Sequence, residues 1–248
     1  MFRVLSVEDY DMVSSATAEL IASQVRLKPN SVLGLATGSS PIGTYQELIR
    51  MYQAGTLDFR QVQTVNLDEY VGLKAGDPNS YHYFMKTRLF DHINIDPSRC
   101  HLPDGSGKDL EKACRQYDEQ IRALGGIDLQ LLGIGHNGHI GFNEPSSELA
   151  LTTHLVHLSE NTIQANARLF DSPDQVPRQA LTMGFKNILD ARRIVLIASG
   201  ADKAEILEKA LWGPVTPEVP ASLLRLHNDV TVIADKAALP NRVYGRTA

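Results

Sequence analysis

Short apolar runs alternate with amphipathic segments along the whole chain. The runs at Arg3–Leu5, Val32–Ala36, Val62–Leu67, Ile127–Leu132, Leu155–Leu158, Ile194–Ala198 and Val230–Ala234 are mostly continuous in Val, Ile and Leu rather than alternating. Continuous runs suit strands covered on both faces, as in a parallel sheet. Between them, Leu110, Cys114, Tyr117, Ile121 and Leu124 recur at steps of four and three, one helical stripe that stops at Gly125-Gly126. Further helices are expected from near Pro41, over Glu160–Phe170, and from Asp202 to Trp212 before Gly213-Pro214. The pattern predicts an α/β fold. Its expected form is one three-layer α/β/α domain over residues 1–248, with a doubly wound, mainly parallel, Rossmann-like sheet. No linker or repeat divides it, and the polar Asp171–Pro177 stretch is expected to be a surface loop.

Composition narrows the classes of function. A chain of 248 residues, 43% apolar, has enough material for a proper core. With 24 Lys and Arg against 29 Asp and Glu, the formal charge is -5 and the basic residues are scattered, which argues against nucleic-acid binding. One or two placed cations still suffice for a small anionic substrate. Cys100 and Cys114 lack metal-ligand spacing, so reduced thiols are expected, Cys114 as a small hydrophobe on the helical stripe. No signal peptide is recognisable, and no segment approaches the roughly 20 apolar residues of a membrane span. A soluble, cytoplasmic protein is the expectation.

Candidate chemistry gathers where strands end, which is where ligands bind in open α/β sheets. Leu132-Gly133-Ile134-Gly135-His136-Asn137-Gly138-His139-Ile140-Gly141-Phe142-Asn143-Glu144-Pro145 leaves an apolar strand and offers His139 and Glu144, an imidazole and a carboxylate able to move protons near neutral pH. Glu144 is expected to hydrogen-bond to His139 and orient it. The His136/His139 spacing of three also raises a metal, but the segment is glycine-rich and no third ligand is evident. Thr37-Gly38-Ser39-Ser40-Pro41 follows another strand and opens a helix: it is either an anion cradle or a plain turn with Ser39 or Ser40 as N-cap. Asp68 and Glu69 also end a strand. Neighbouring side chains on extended chain point opposite ways, so one is a candidate general base and the other is solvated or capping. Arg168 and Lys203 are isolated cations, suited to a phosphate dianion.

Ala36-Thr37-Gly38-Ser39-Ser40-Pro41, Leu67-Asp68-Glu69-Tyr70-Val71-Gly72-Leu73, the Gly133–Pro145 motif and Ser199-Gly200-Ala201-Asp202-Lys203-Ala204 together resemble the glucosamine-6-phosphate deaminase family, in order and spacing, over nearly the whole chain. The resemblance implies conversion of D-glucosamine 6-phosphate and water to D-fructose 6-phosphate and ammonium, without cofactor or metal. It implies that Asp68 moves the proton between C2 and C1, that His139 is the ring-opening acid/base, and that Glu144 is its carboxylate partner. It also implies that Thr37, Gly38, Ser39, Ser40, Arg168 and Lys203 hold the phosphate, with a lid over residues 159–183 that carries Arg168.

Two departures stand out. Asn137 occupies a position that is aspartate in part of the family, which leaves Glu144 as the main carboxylate input and predicts a weakened upward push on the His139 pKa. Members activated by a second sugar phosphate carry an Arg-x-Lys pair where this chain has His154-Leu155-Val156. The chain also stops soon after Tyr244. A non-allosteric, monomeric enzyme is therefore expected. The rival readings are a 6-phosphogluconolactonase of the same fold, which needs no Asp68 motif, and a sugar-phosphate sensor, which needs neither Asp68 nor His139.

Overall fold

The computed structural model describes residues 2–159, 163, 170, 172 and 175–239. Three caps start its main helices as their sequences dictate. Asp9 accepts from Met12 N at 2.9 Å ahead of α1 (Tyr10–Leu27), Ser80 from Tyr83 N at 3.0 Å ahead of α3 (Tyr81–Arg88), and Asp109 from Lys112 N at 2.9 Å ahead of α4 (Leu110–Ala123). Helices α2 (Ile42–Gln53), α5 (Phe185–Leu189) and α6 (Ala204–Trp212) complete the set used below.

Seven strands form the central sheet, all paired in parallel: β1 (Phe2–Val7), β2 (Val32–Leu35), β3 (Gln63–Asn66), β5 (Cys100–His101), β6 (Leu129–Gly133), β9 (Ile194–Ala198) and β10 (Val230–Asp235). Their spatial order is β1-β10-β9-β6-β2-β3-β5. The continuous apolar runs follow from this burial. Leu33, Leu35, Leu129, Leu131, Val195 and Ile197 face one core with Ile21 and Val25 of α1 and Leu48 of α2. The alternate residues Val32, Leu132, Ile194 and Leu196 face the other with Ile121 of α4 and Leu207 of α6. The expected three-layer, doubly wound sheet is present, and among the described residues no helix is long and apolar enough to cross a membrane.

The expected single sheet is incomplete in one respect. The Leu155–Leu158 run becomes β7 (His154–His157), which does not join the parallel sheet. It lies at the edge of a three-stranded antiparallel sheet, ordered β4-β8-β7, with β4 (Asp68–Tyr70) and β8 (Gln179–Thr182). Its half-exposed, alternating burial is that of an antiparallel strand with one wet face, which four residues of chain scarcely reveal. The lid expected over 159–183 therefore loses its C-terminal part, since Gln179–Thr182 is a paired strand; much of the remainder, with the helix expected over Glu160–Phe170, lies outside the described residues.

The chain leaves β2 towards β3 and β5 but leaves β6 towards β9 and β10, so the two central neighbours send their C-terminal loops to opposite sides. Such a switch point opens a crevice at the strand ends. Asp128 ties the other end of this pair: its buried carboxylate accepts from Val32 N at 2.8 Å and Lys28 Nζ at 2.8 Å, and lies 3.1 Å from Arg192 Nε. Removing a buried acceptor strands its donors. Asp128→Ala is expected to lose about 2–4 kcal/mol of unfolding free energy by urea titration; a change under about 0.5 kcal/mol, the size of an ordinary surface substitution, would contradict this role.

Candidate active site

A cleft of about 510 Å³ occupies the switch point. Thr37, Gly38, Ser39, Ser40, Asp68, Asn137, His139 and Lys203, all expected from the sequence, line it together. Glu144 stands behind Asn137 and does not line the cleft. Arg168 lies outside the described residues.

Asp68 owes its place to a change of sheet. The run through Val65 pairs with β2 as far as Asn66, and the chain then pairs antiparallel with β8, Asp68 opposite Thr182. Asp68 is buried, and among the described residues its carboxylate accepts no hydrogen bond. Burial, reinforced by the nearby Glu69 charge, pushes its pKa up to about 8. Glu69 points the other way and takes the capping alternative. Its carboxylate accepts from Tyr81 N and His82 N, each at 2.9 Å, at the N-terminus of α3. It is buried rather than solvated, so alternation decides which acid faces the cleft and a helix claims the other.

The expected direct bond between His139 and Glu144 is replaced by a relay. Nδ1 of His139 lies 3.6 Å from Glu144 Oε1 but 2.8 Å from Asn137 Oδ1, and Asn137 Nδ2 donates to Glu144 Oε2. The backbone N–H of His139 donates to the same Asn137 oxygen. Turned over, the amide would set its carbonyl against a carboxylate and its NH2 against a backbone N–H, so its polarity is fixed. A carbonyl at Nδ1 requires Nδ1–H, which leaves Nε2 of the neutral ring as proton acceptor. The ring packs against Gly135, where an added Cβ would fall 2.2 Å from His139 Cε1, so this position admits only glycine. The expected upward push on the imidazole is outweighed. Burial holds its pKa below the ordinary value, Glu144 opposes that, and Lys203 and His136 add to the lowering.

The far end of the cleft is formed by the 37–40 loop and Lys203. α2 is capped by Pro41 without a side-chain bond, so neither Ser39 nor Ser40 takes the N-cap role of a plain turn. Gly38 turns the loop at φ +89°, and Tyr10 pins it by donating to the carbonyls of Ser39 and Ser40 and accepting from Gly43 N. The Lys203 side chain is 14% exposed, and burial lowers its pKa, with Asp202 opposing. Two residues given no role in the sequence also line the cleft: Tyr81, whose hydroxyl donates to that of Tyr70, and Phe142, stacked on Tyr81 at 6.0 Å; His136, raised there only as a metal ligand, joins them. The cap signal at Ser80 places Tyr81 at a helix start, but no local pattern aims it at a cleft formed by other strands. Among the described residues no three His, Cys, Asp or Glu side chains gather as a metal site, and the His136 and His139 ring nitrogens contact Asp202 and Asn137 instead.

A family model of glucosamine-6-phosphate isomerases and 6-phosphogluconolactonases matches residues 8–233. The chain belongs to this family. The glucosamine-6-phosphate deaminase of Halothermothrix orenii is 58% identical, over 95% of this chain and 98% of that protein. The glucosamine-6-phosphate deaminase of Lachnoclostridium phytofermentans is 57% identical, over 93% and 98%. A solved structure of a monomeric glucosamine-6-phosphate deaminase superposes with a TM-score of 0.93 at 50% identity, covering 95% of this chain and 98% of that one. A 6-phosphogluconolactonase from Thermotoga maritima shares the fold, with a TM-score of 0.75 at 20% identity over 95% and 99%.

The raised Asp68 pKa has a consequence for stability. The unfolded carboxyl ionises near its ordinary 3.8 whereas the folded one keeps its proton to about 8. The group's contribution is therefore fully present below pH 4 and is lost as pH rises through 8. Asp68→Asn does not titrate, so its urea midpoint relative to the native protein is expected to climb between pH 4 and 8 and level off above. Parallel curves would contradict the burial of a charged Asp68.

Proposed function

We propose that this protein converts D-glucosamine 6-phosphate and water to D-fructose 6-phosphate and ammonium. The observation that carries this reading is the convergence of Asp68 and His139 on one cleft whose far end offers Lys203 and the 37–40 loop. Relatives at 57–58% identity bearing the deaminase name support it.

Thr37, Gly38, Ser39, Ser40 and Lys203, with Arg168 from a lid, hold the phosphate and so fix a sugar whose reacting carbons lie at the other end. The C2 hydrogen of a cyclic amino sugar is not acidic, so the ring opens first. With Nδ1–H committed to Asn137, His139 takes the anomeric hydroxyl proton at Nε2 and gives it to the ring oxygen. Asn137 and Glu144 hold that tautomer and stabilise the imidazolium as it forms. The aldehyde now acidifies C2–H. Asp68 removes this proton, the electron pair enters a C1–C2 double bond, and the carbonyl oxygen takes up a proton to give an enolamine. Proton return from Asp68 to C1 leaves an iminium at C2. Water adds there, and the C–N bond breaks to release ammonium and leave the ketone. Protons and electrons balance within the sugar, so the sequence of steps requires no cofactor. Each positioned acid or base contributes roughly 10²–10⁴-fold.

The enzyme acts as a cytoplasmic monomer without a second sugar-phosphate site. This rests on His154-Leu155-Val156, where a charged Arg-x-Lys pair would serve such an effector, and on the monomeric relative.

Ammonia release from glucosamine 6-phosphate, with chelator present, tests the reading. Hyperbolic turnover is expected, with kcat/KM rising towards pH 8 as Asp68 ionises. Asp68→Asn should lower kcat by about 10³-fold or more while still binding the sugar phosphate. His139→Gln should slow ring-closed substrate far more than the open chain. Retained turnover in Asp68→Asn, or a sigmoidal curve relieved by N-acetylglucosamine 6-phosphate, would contradict these assignments.

A further inference from the structure

Two loops from different strands meet at the phosphate end of the cleft. The loop after β6 carries His136, and the turn after β9 carries Asp202 directly ahead of Lys203. His136 Nε2 lies 2.6 Å from Asp202 Oδ2, and the same oxygen lies 4.0 Å from Lys203 Nζ. His136 and Lys203 line the cleft, whereas Asp202 does not.

The imidazole and carboxylate side chains are 72% and 57% exposed. So exposed a pair adds little to folding, and stability does not explain why it bridges these loops. Its position beside the phosphate lysine does. A carboxylate next to an ammonium competes with any phosphate for the same donors, because both are oxyanions seeking charge-assisted hydrogen bonds. Bonded to His136, the Asp202 oxygen is held at the outer limit of an ion pair with Lys203. Released from it, the carboxylate can close on the lysine and occupy it.

We propose that the His136–Asp202 pair is a positioning clasp that keeps a competing carboxylate off Lys203 and leaves its ammonium free for a phosphate monoester. The inference rests on Lys203 being the phosphate cation of the proposed deaminase, yet it can be tested without turnover. The clasp also joins the loop bearing Asn137 and His139 to the phosphate turn, so the phosphate and proton-transfer ends of the cleft share a fastening.

Calorimetric titration of the whole protein with inorganic phosphate tests this. His136→Ala is expected to raise the phosphate dissociation constant about tenfold, as Asp202 captures Lys203. His136→Gln, which keeps a donor near the position of Nε2, should bind as the native protein does. Asp202→Asn should bind as well or better, and His136→Ala with Asp202→Asn should recover native affinity because no carboxylate remains to compete. A plain structural tether gives the opposite result: Asp202→Asn would weaken binding and the double variant would be no better than His136→Ala. That outcome, unchanged affinity in His136→Ala, or a native protein that binds no phosphate would overturn the proposal. Failure of the native protein to release ammonia would count against the deaminase reading alone, since phosphate binding is measured separately.

Discussion

Everything at the site depends on where β2 and β6 part. These neighbours pair in parallel, are tied together at one end through Asp128, and send their chains in opposite directions at the other. Two outgoing loops that diverge cannot cover the strand ends, so a crevice is left there whatever side chains line it. The sequence then furnishes it from four strands. The 37–40 loop comes from β2, the His136–Glu144 loop from β6 and Lys203 from the turn after β9, while the run that leaves β3 crosses to the side sheet and delivers Asp68.

The cleft is dry enough to push its ionisable groups towards neutrality before anything binds. Burial raises Asp68 and lowers both His139 and Lys203. In the proposed complex, a phosphate dianion beside Lys203 would reverse that trend at one end, favouring the charged ammonium. At the other end the neutral Asn137 transmits the influence of Glu144 by hydrogen-bond polarity more than by direct contact. It settles which nitrogen of His139 carries the proton, which in the proposed ring opening matters more than a small change in basicity.

The central strands were legible because burial on both faces leaves continuous Val, Ile and Leu runs, as in Ile194–Ala198. The side sheet was not. β4 and β8 are three and four residues long, and β4 follows β3 after the single residue Leu67, so that a change of sheet reads as one strand. Alternation narrowed Asp68 and Glu69 to one base and one cap, and only the position of α3 shows which is which. The Asn137 relay escaped because spacing gives proximity but not the handedness of an amide. Tyr81 escaped because a helix start gives no local sign of the distant strands whose loops it faces, and the pairing of His136 escaped because its partner, Asp202, lies far along the chain.

In the proposed reaction one hexose phosphate spans the cleft with C2 at Asp68. A crystal structure with the open-chain analogue 2-amino-2-deoxyglucitol 6-phosphate measures this directly. The phosphate is expected against Thr37–Ser40 and Lys203, with C2 within about 3.5 Å of an Asp68 carboxylate oxygen and the C1 oxygen towards His139. A phosphate bound elsewhere, or C2 beyond the reach of Asp68 with the phosphate in place, would contradict it.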